Sequence, residues 1–185
     1  MSLDNIVFLL IVGSLFLYII QALVRSLRLV PAQMEFIVER FGRYHTTLSA
    51  GFHFLIPFVD KVAFTQDLKE HTTDVPSQTC FTKDEIQVEV DGVIYLKVID
   101  SQKASYGITD YQYAAIQLAQ TTTRAIIGTL DLDRTFEERE AISGKVVSVL
   151  DSAATKWGVR ILRFEIKNLV PPESVRQSME KQVTA

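Results

Sequence analysis

Residues 86–99 read Ile-Gln-Val-Glu-Val-Asp-Gly-Val-Ile-Tyr-Leu-Lys-Val-Ile, and the fold turns on them. Ile86, Val88 and Val90 fall on one side of an extended chain, with Gln87, Glu89 and Asp91 on the other. That alternation predicts a half-buried strand. Gly92 predicts a bulge, after which Val93–Ile99 is apolar on both faces. Upstream the chain reads as strand. Gln33–Tyr44 sets Phe36, Val38 and Phe41 among charged residues and turns at Gly42. Lys61–Leu68 alternates around Val62 and Phe64. Downstream the pattern becomes helical. Ser101–Tyr106 is a short helix ending at Gly107, and Asp110 can cap a helix over Tyr111–Ile127 that closes at Gly128. Thr135-Phe-Glu-Glu138 reads as a capping box. The helix it opens carries Ile142, Val146, Val149, Leu150, Ala153 and Trp157 as an apolar stripe and ends at Gly158. In Val159–Val170 the face of Leu162, Phe164 and Ile166 is the apolar one, which predicts a last strand. Pro171-Pro172 stops it and opens a terminal helix lined by Val175, Met179 and Val183.

The chain has 185 residues, 48% of them apolar, with 19 basic and 22 acidic side chains and a net charge of −3. This suits one globular domain with an appendage. The mild acidity gives no electrostatic reason for nucleic-acid binding. One cysteine, Cys80, excludes an internal disulfide framework. Eight glycines and five prolines exclude collagen-like and low-complexity classes.

The excess hydrophobicity is concentrated at one end. Ile6–Val24 is apolar except at Gly13, Ser14 and Gln21, and carries no charge. As a helix it would be roughly 28 Å long, close to the hydrocarbon thickness of a bilayer. The positive n-region and A-x-A site of a cleaved signal peptide are missing, which favours a retained transmembrane anchor. Ile6, Phe8, Leu10, Phe16 and Ile19 would then face lipid. Arg25 and Arg28 flank its C-terminal side, so the positive-inside rule places the N-terminus outside and the body in the cytoplasm. Gly51–Val59 has two readings: a buried strand pair, or an interfacial loop that dips Phe52, Phe54 and Phe58 into the bilayer. The terminal helix also has two: packing on its own domain, or the start of an assembly coiled coil. In the second, Val175, Met179 and Val183 form the seam, with Arg176 and Glu180 pairing between copies.

A search for chemistry finds no catalytic, cofactor-binding or metal residues to name. His45, His53 and His71 have no metal-ligand spacing. No glycine-rich phosphate loop and no G-x-S-x-G elbow occurs. Cys80 has no activating neighbour and reads as a buried thiol. The expectation is a protein without an active site or cofactor. The competing reading is a membrane-associated serine-type hydrolase or protease subunit.

Several motifs in order resemble one family. Val38-Glu-Arg-Phe-Gly-Arg-Tyr44 followed by Gly51-Phe-His-Phe-Leu-Ile-Pro-Phe-Val-Asp60 resembles the opening of the SPFH (band 7) domain. Asp91–Lys97, Ala104–Gly107, Gln117–Thr122, Trp157–Arg160 and Glu165–Lys167 are similar to its stomatin branch, which includes stomatin-like protein 2 and bacterial paraslipins. The resemblance implies an α+β SPFH domain, antiparallel strands followed by helices packed on the sheet. One transmembrane helix would precede it and a coiled-coil helix would follow. The expected divisions are 1–29 (anchor), 30–97 (strand-rich subdomain), 98–171 (α/β subdomain) and 172–185 (start of a coiled coil, expected to continue past Ala185). The resemblance also implies a large homo-oligomeric ring or cage that organises a membrane microdomain, with lipids and a membrane protease or NfeD-like protein as partners, and no intrinsic catalysis. With no Arg-rich transit peptide, the expected location is a bacterial inner membrane.

Overall fold

The central strand forms as its alternation predicts. In a computed structural model describing residues 3–173, β7 (Gln87–Val98) buries every second residue from Val88 to Val98. The side chains of residues 3–10 and of Arg25 lie outside the described set, as do Val175, Arg176, Met179, Glu180 and Val183. Closely contacting residues divide the chain at Asp67/Leu68 into two units. The boundary expected at 97/98 followed the change from strands to helices. The contacts follow strand pairing instead, because β6 and β7 belong to the sheet on which the helices pack.

The second unit is one antiparallel sheet in the order β6 (Glu70–Phe81), β7, β8 (Val159–Val170), with helices against it. The helices are α2 (Ser101–Tyr106), α3 (Tyr111–Ile127), α4 (Leu132–Glu137) and α5 (Arg139–Ala154). Ile94, Leu96, Val98, Ile161 and Phe164 from the sheet pack with Ala115, Ala119, Ile142, Val146 and Leu150 from α3 and α5. Asp110 caps α3 as expected, its Oδ1 accepting from the Tyr113 amide at 2.9 Å. Gly158, at φ 71°, ends the turn after α5 in the left-handed conformation.

Three local expectations need correction. The alternation of β7 runs straight through Gly92, and the irregularities lie on its neighbours. A Cβ at Gly92 would meet the Phe164 ring at 2.8 Å and the Glu165 carbonyl oxygen at 2.7 Å, so the glycine makes room for close approach. Next, Leu162 is not on the buried face of β8. Leu96 pairs with Ile161 and Tyr95 with Arg163, so Leu162 is an extra residue that turns the following side chains over. Val159, Ile161, Phe164 and Leu169 are the buried set. Third, Thr135 does not open a helix. It sits buried inside α4, its hydroxyl donating to the Asp131 carbonyl, while Glu138 pairs with Arg134 at 2.6 Å. The chain breaks at Glu138 and restarts as α5, whose buried residues are Ile142, Val146, Leu150 and Ala154 while Val149 is exposed. In addition, β6 is a long strand that the sequence pattern does not mark. Pro76 falls at its bulge, between Val75 and Gln78. There Gln78 Nε2 donates to the Gln120 carbonyl at 2.8 Å and Arg124 Nη2 donates to Gln78 Oε1 at 2.7 Å, tying the bulge to α3.

The first unit begins with α1 (Leu3–Ser26), followed by β1 (Leu27–Val30), β2 (Met34–Arg40), β3 (Arg43–Leu48), β4 (Gly51–Phe54) and β5 (Asp60–Asp67). β1 pairs with β4, and a three-stranded sheet runs β3-β2-β5. Its core is small: Val30, Val38, Leu48 and Leu55, flanked by Met34, Phe36 and Val62. The helix expected over Ile6–Val24 is present in α1. Among the described residues, however, no helix is long and apolar enough to cross a membrane.

Candidate membrane-contact site

The segment Gly51–Val59 begins as a strand, and its phenylalanines are not core. Register explains why. β1 and β4 form a two-stranded ribbon in which Leu27 faces Phe54 and Leu29 faces Phe52, while Arg28 faces His53. Side chains alternate across a strand, so the two apolar pairs share one face. That face is open: Leu29 is 74% exposed, Phe52 67% and Phe54 57%. Val30, the last residue of the strand, is buried in the core. Phe58 is 83% exposed in the loop that follows β4. Sequence reading names the three phenylalanines but not Leu27 and Leu29; the Leu27-Arg28-Leu29 alternation was the available signal.

The loop is held in place. The Leu55 amide donates to the Ser26 carbonyl at 2.9 Å, joining the end of β4 to the end of α1. Ser26 Oγ donates back to the Ala22 carbonyl at 2.8 Å. Arg40 grips Asp60 through two hydrogen bonds, Nε to Oδ1 at 2.7 Å and Nη2 to Oδ2 at 3.0 Å. Asp60 Oδ2 also accepts from the Ile56 amide at 2.9 Å. A carboxylate with these donors resists protonation: the Arg40 guanidinium, with the Ile56 amide, lowers Asp60 to about 2. These bonds tie down both ends of the loop, from which Ile56 and Phe58 face outward. The Phe58 ring stacks with Tyr18 of α1, their centroids 6.3 Å apart. A groove of about 380 Å³ runs along this junction, lined by Tyr18, Ala22, Arg28, Ile56, Phe58 and Lys61 among others.

Of the expected lipid-facing residues on α1, Phe16 and Ile19 are exposed, as are Leu15, Leu17 and Tyr18. Ile6, Phe8 and Leu10 lie outside the described side chains. Other candidate groups are ordinary. His53 Nε2 lies 2.7 Å from the Ser49 carbonyl oxygen, a local loop contact. Cys80 is fully buried, and burial pushes its thiol up. Among the described residues, no group of three or more His, Cys, Asp or Glu could hold a metal ion.

Comparison with known proteins gives these elements a family. Residues 28–185 match the SPFH domain / Band 7 family. The human protein named stomatin-like protein 2, mitochondrial is 46% identical over 156 residues, covering 84% of this chain and 44% of the relative. A Caenorhabditis elegans stomatin-like protein is 40% identical over 156 residues, covering 84% of this chain and 48% of that protein. An uncharacterised protein of Methanocaldococcus jannaschii is 41% identical over 182 residues, covering 98% of this chain and 89% of the relative. The chain thus spans less than half the length of the human relative. The ordered motifs of the sequence, the strand-rich first unit and the match over residues 28–185 agree: the chain belongs to the SPFH (band 7) family.

Proposed function

We propose that the protein is a membrane-anchored scaffold. In this reading α1 lies in the bilayer and the ribbon face of Leu27, Leu29, Phe52 and Phe54 rests on lipid with Phe58. The observation that carries it is that open apolar face. Soluble proteins rarely leave contiguous apolar side chains uncovered, and here they adjoin an apolar helix. Arg25 and Arg28 after the apolar stretch favour an outside N-terminus and a cytoplasmic body; the membrane proposed is a bacterial inner membrane.

A shared membrane plane fixes the orientation of every copy and raises its effective concentration. Identical neighbours related by one repeated rotation close into a ring. The proposal is therefore a large closed homo-oligomer that borders a patch of membrane and regulates a membrane protease or NfeD-like partner, without catalysis of its own. The terminal-helix residues Val175, Arg176, Met179, Glu180 and Val183 would join neighbouring copies.

Extraction of the protein from membranes in mild detergent, followed by mass measurement and particle imaging, tests this. Closed particles of many copies are expected. A monodisperse monomer or dimer at high concentration would contradict the scaffold. Attaching a reporter active only outside the cytoplasm to the C-terminus tests orientation. Silence is expected, and a strong signal would reverse the topology.

A further inference from the structure

Phe41 is as exposed as Phe58, at 83%, and both have positive φ, 51° and 67°. Bulky side chains rarely adopt this conformation, because Cβ crowds the backbone. Turns of this kind favour Asn, Asp or Gly, and Gly42, at φ 76°, fills the second such position. An aromatic ring that is uncovered and held in an unfavourable conformation contributes little to folding.

Register places this ring. Arg40 pairs with Asp60 across β2–β5 and with Arg43 across β2–β3. Phe41 follows the last pair of β2, and Phe58 precedes the first pair of β5. Both phenylalanines thus stand beyond the same end of one three-stranded sheet, joined by the Arg40–Asp60 ion pair. That end lies beside α1, since Phe58 stacks with Tyr18. Tyr18 precedes Ser26 by about 12 Å of helix. Arg43 follows the turn and Lys61 follows Asp60, supplying the cations that anionic headgroups attract.

We propose that the Phe41–Gly42 turn is a second membrane-inserting finger, entering the lipid beside Phe58. The occupant of this apolar tip is the bilayer itself, because the tip continues the apolar surface of α1 and Phe58 and is flanked by positive charge. The proposal rests on the membrane reading above and adds an element to it.

The test uses the full chain with Trp157→Phe as background and one new tryptophan at a time: Phe41→Trp, Phe58→Trp or Gln33→Trp. Gln33 is a matched control. It is an exposed turn residue with φ 65°, at the other end of β2 and roughly 26 Å away along the strand. Each variant is reconstituted in vesicles of phosphatidylcholine and phosphatidylglycerol carrying bromine on the acyl chains. Phe41→Trp and Phe58→Trp are expected to be quenched about twofold or more and blue-shifted, with Gln33→Trp unaffected.

Quenching of Phe58→Trp without Phe41→Trp would overturn the finger and leave the membrane reading standing. No quenching of either, in protein that sediments with the vesicles, would overturn both. A blue-shifted but unquenched Phe41→Trp would assign the tip to a neighbouring copy and overturn the proposal. Equal quenching of Gln33→Trp would also overturn it. As a second check, Phe41→Asn suits positive φ and should leave the urea midpoint unchanged or higher. A lower midpoint would mean that the ring serves folding and would overturn the proposal.

Discussion

In the unit that starts at Leu68, the apolar face of the sheet is covered. Ile94, Leu96, Ile161 and Phe164 lie under α3 and α5, and the bulges of the edge strands are tied down by side chains. In the unit that ends at Asp67, strands of the same antiparallel kind leave Leu29, Phe52, Phe54 and Phe58 uncovered. The core there is a few aliphatic residues. The first unit is the more apolar of the two and holds eight of the eleven phenylalanines, yet it covers less of its apolar surface. What separates them is whether a helix of the chain covers the apolar side or the side is left for something else.

That contrast predicts opposite responses to substitution. Gly92→Leu forces a side chain into the Phe164 ring and the backbone beyond it. It should cost more than about 3 kcal/mol and show as loss of the cooperative urea transition. If it is tolerated, the second unit is not packed as described.

In the first unit the sensitive point is polar. Asp60→Asn removes the partner of Arg40 and should lower the urea midpoint at neutral pH. Asp60 titrates near 2 when folded, against an ordinary 3.8, so its contribution is complete above about pH 4. It is lost as the pH falls through 2. The gap between the native chain and Asp60→Asn should therefore narrow from pH 4 to pH 2, and a gap that widens on acidification would disprove the ion-pair role.

Asp110→Ala removes the cap of α3 and should cost about 1 kcal/mol, read by chemical denaturation. The smallest effect on stability per site is expected at the exposed phenylalanines of Gly51–Val59. Replacing Phe52, Phe54 and Phe58 together by Ser should change stability by less than about 0.5 kcal/mol per site while weakening lipid contact. A large loss of stability would make the first unit an ordinary core and erase the contrast.

The elements with strong local signals were legible in the sequence. The alternation of Ile86–Asp91, the Asp110 cap and the Gly158 terminus all act within a few residues of themselves. What was not legible depends on partners distant in sequence. The face of β8 turns over at Leu162 because of its pairing with Tyr95 and Leu96. Thr135 is a local exception: it looks like a cap, but α4 already starts after Asp131, four residues earlier. β6 carries no strand signal in the sequence, and its bulge at Pro76 is held by Gln120 and Arg124 of α3. For the candidate site, the phenylalanines of Gly51–Val59 were conspicuous, but only the β1–β4 register distinguishes an open apolar face from a buried strand pair.

The central claim is that the uncovered face of the first unit meets lipid. Spin labels attached singly at positions 52, 54, 58 and 33, in the full chain carrying Cys80→Ser, test it directly. In vesicles, labels at 52, 54 and 58 should collide more readily with oxygen, which concentrates in lipid, than with a water-soluble nickel complex. The label at 33 should show the reverse. Equal, water-like accessibility at all four positions in membrane-bound protein would contradict the account.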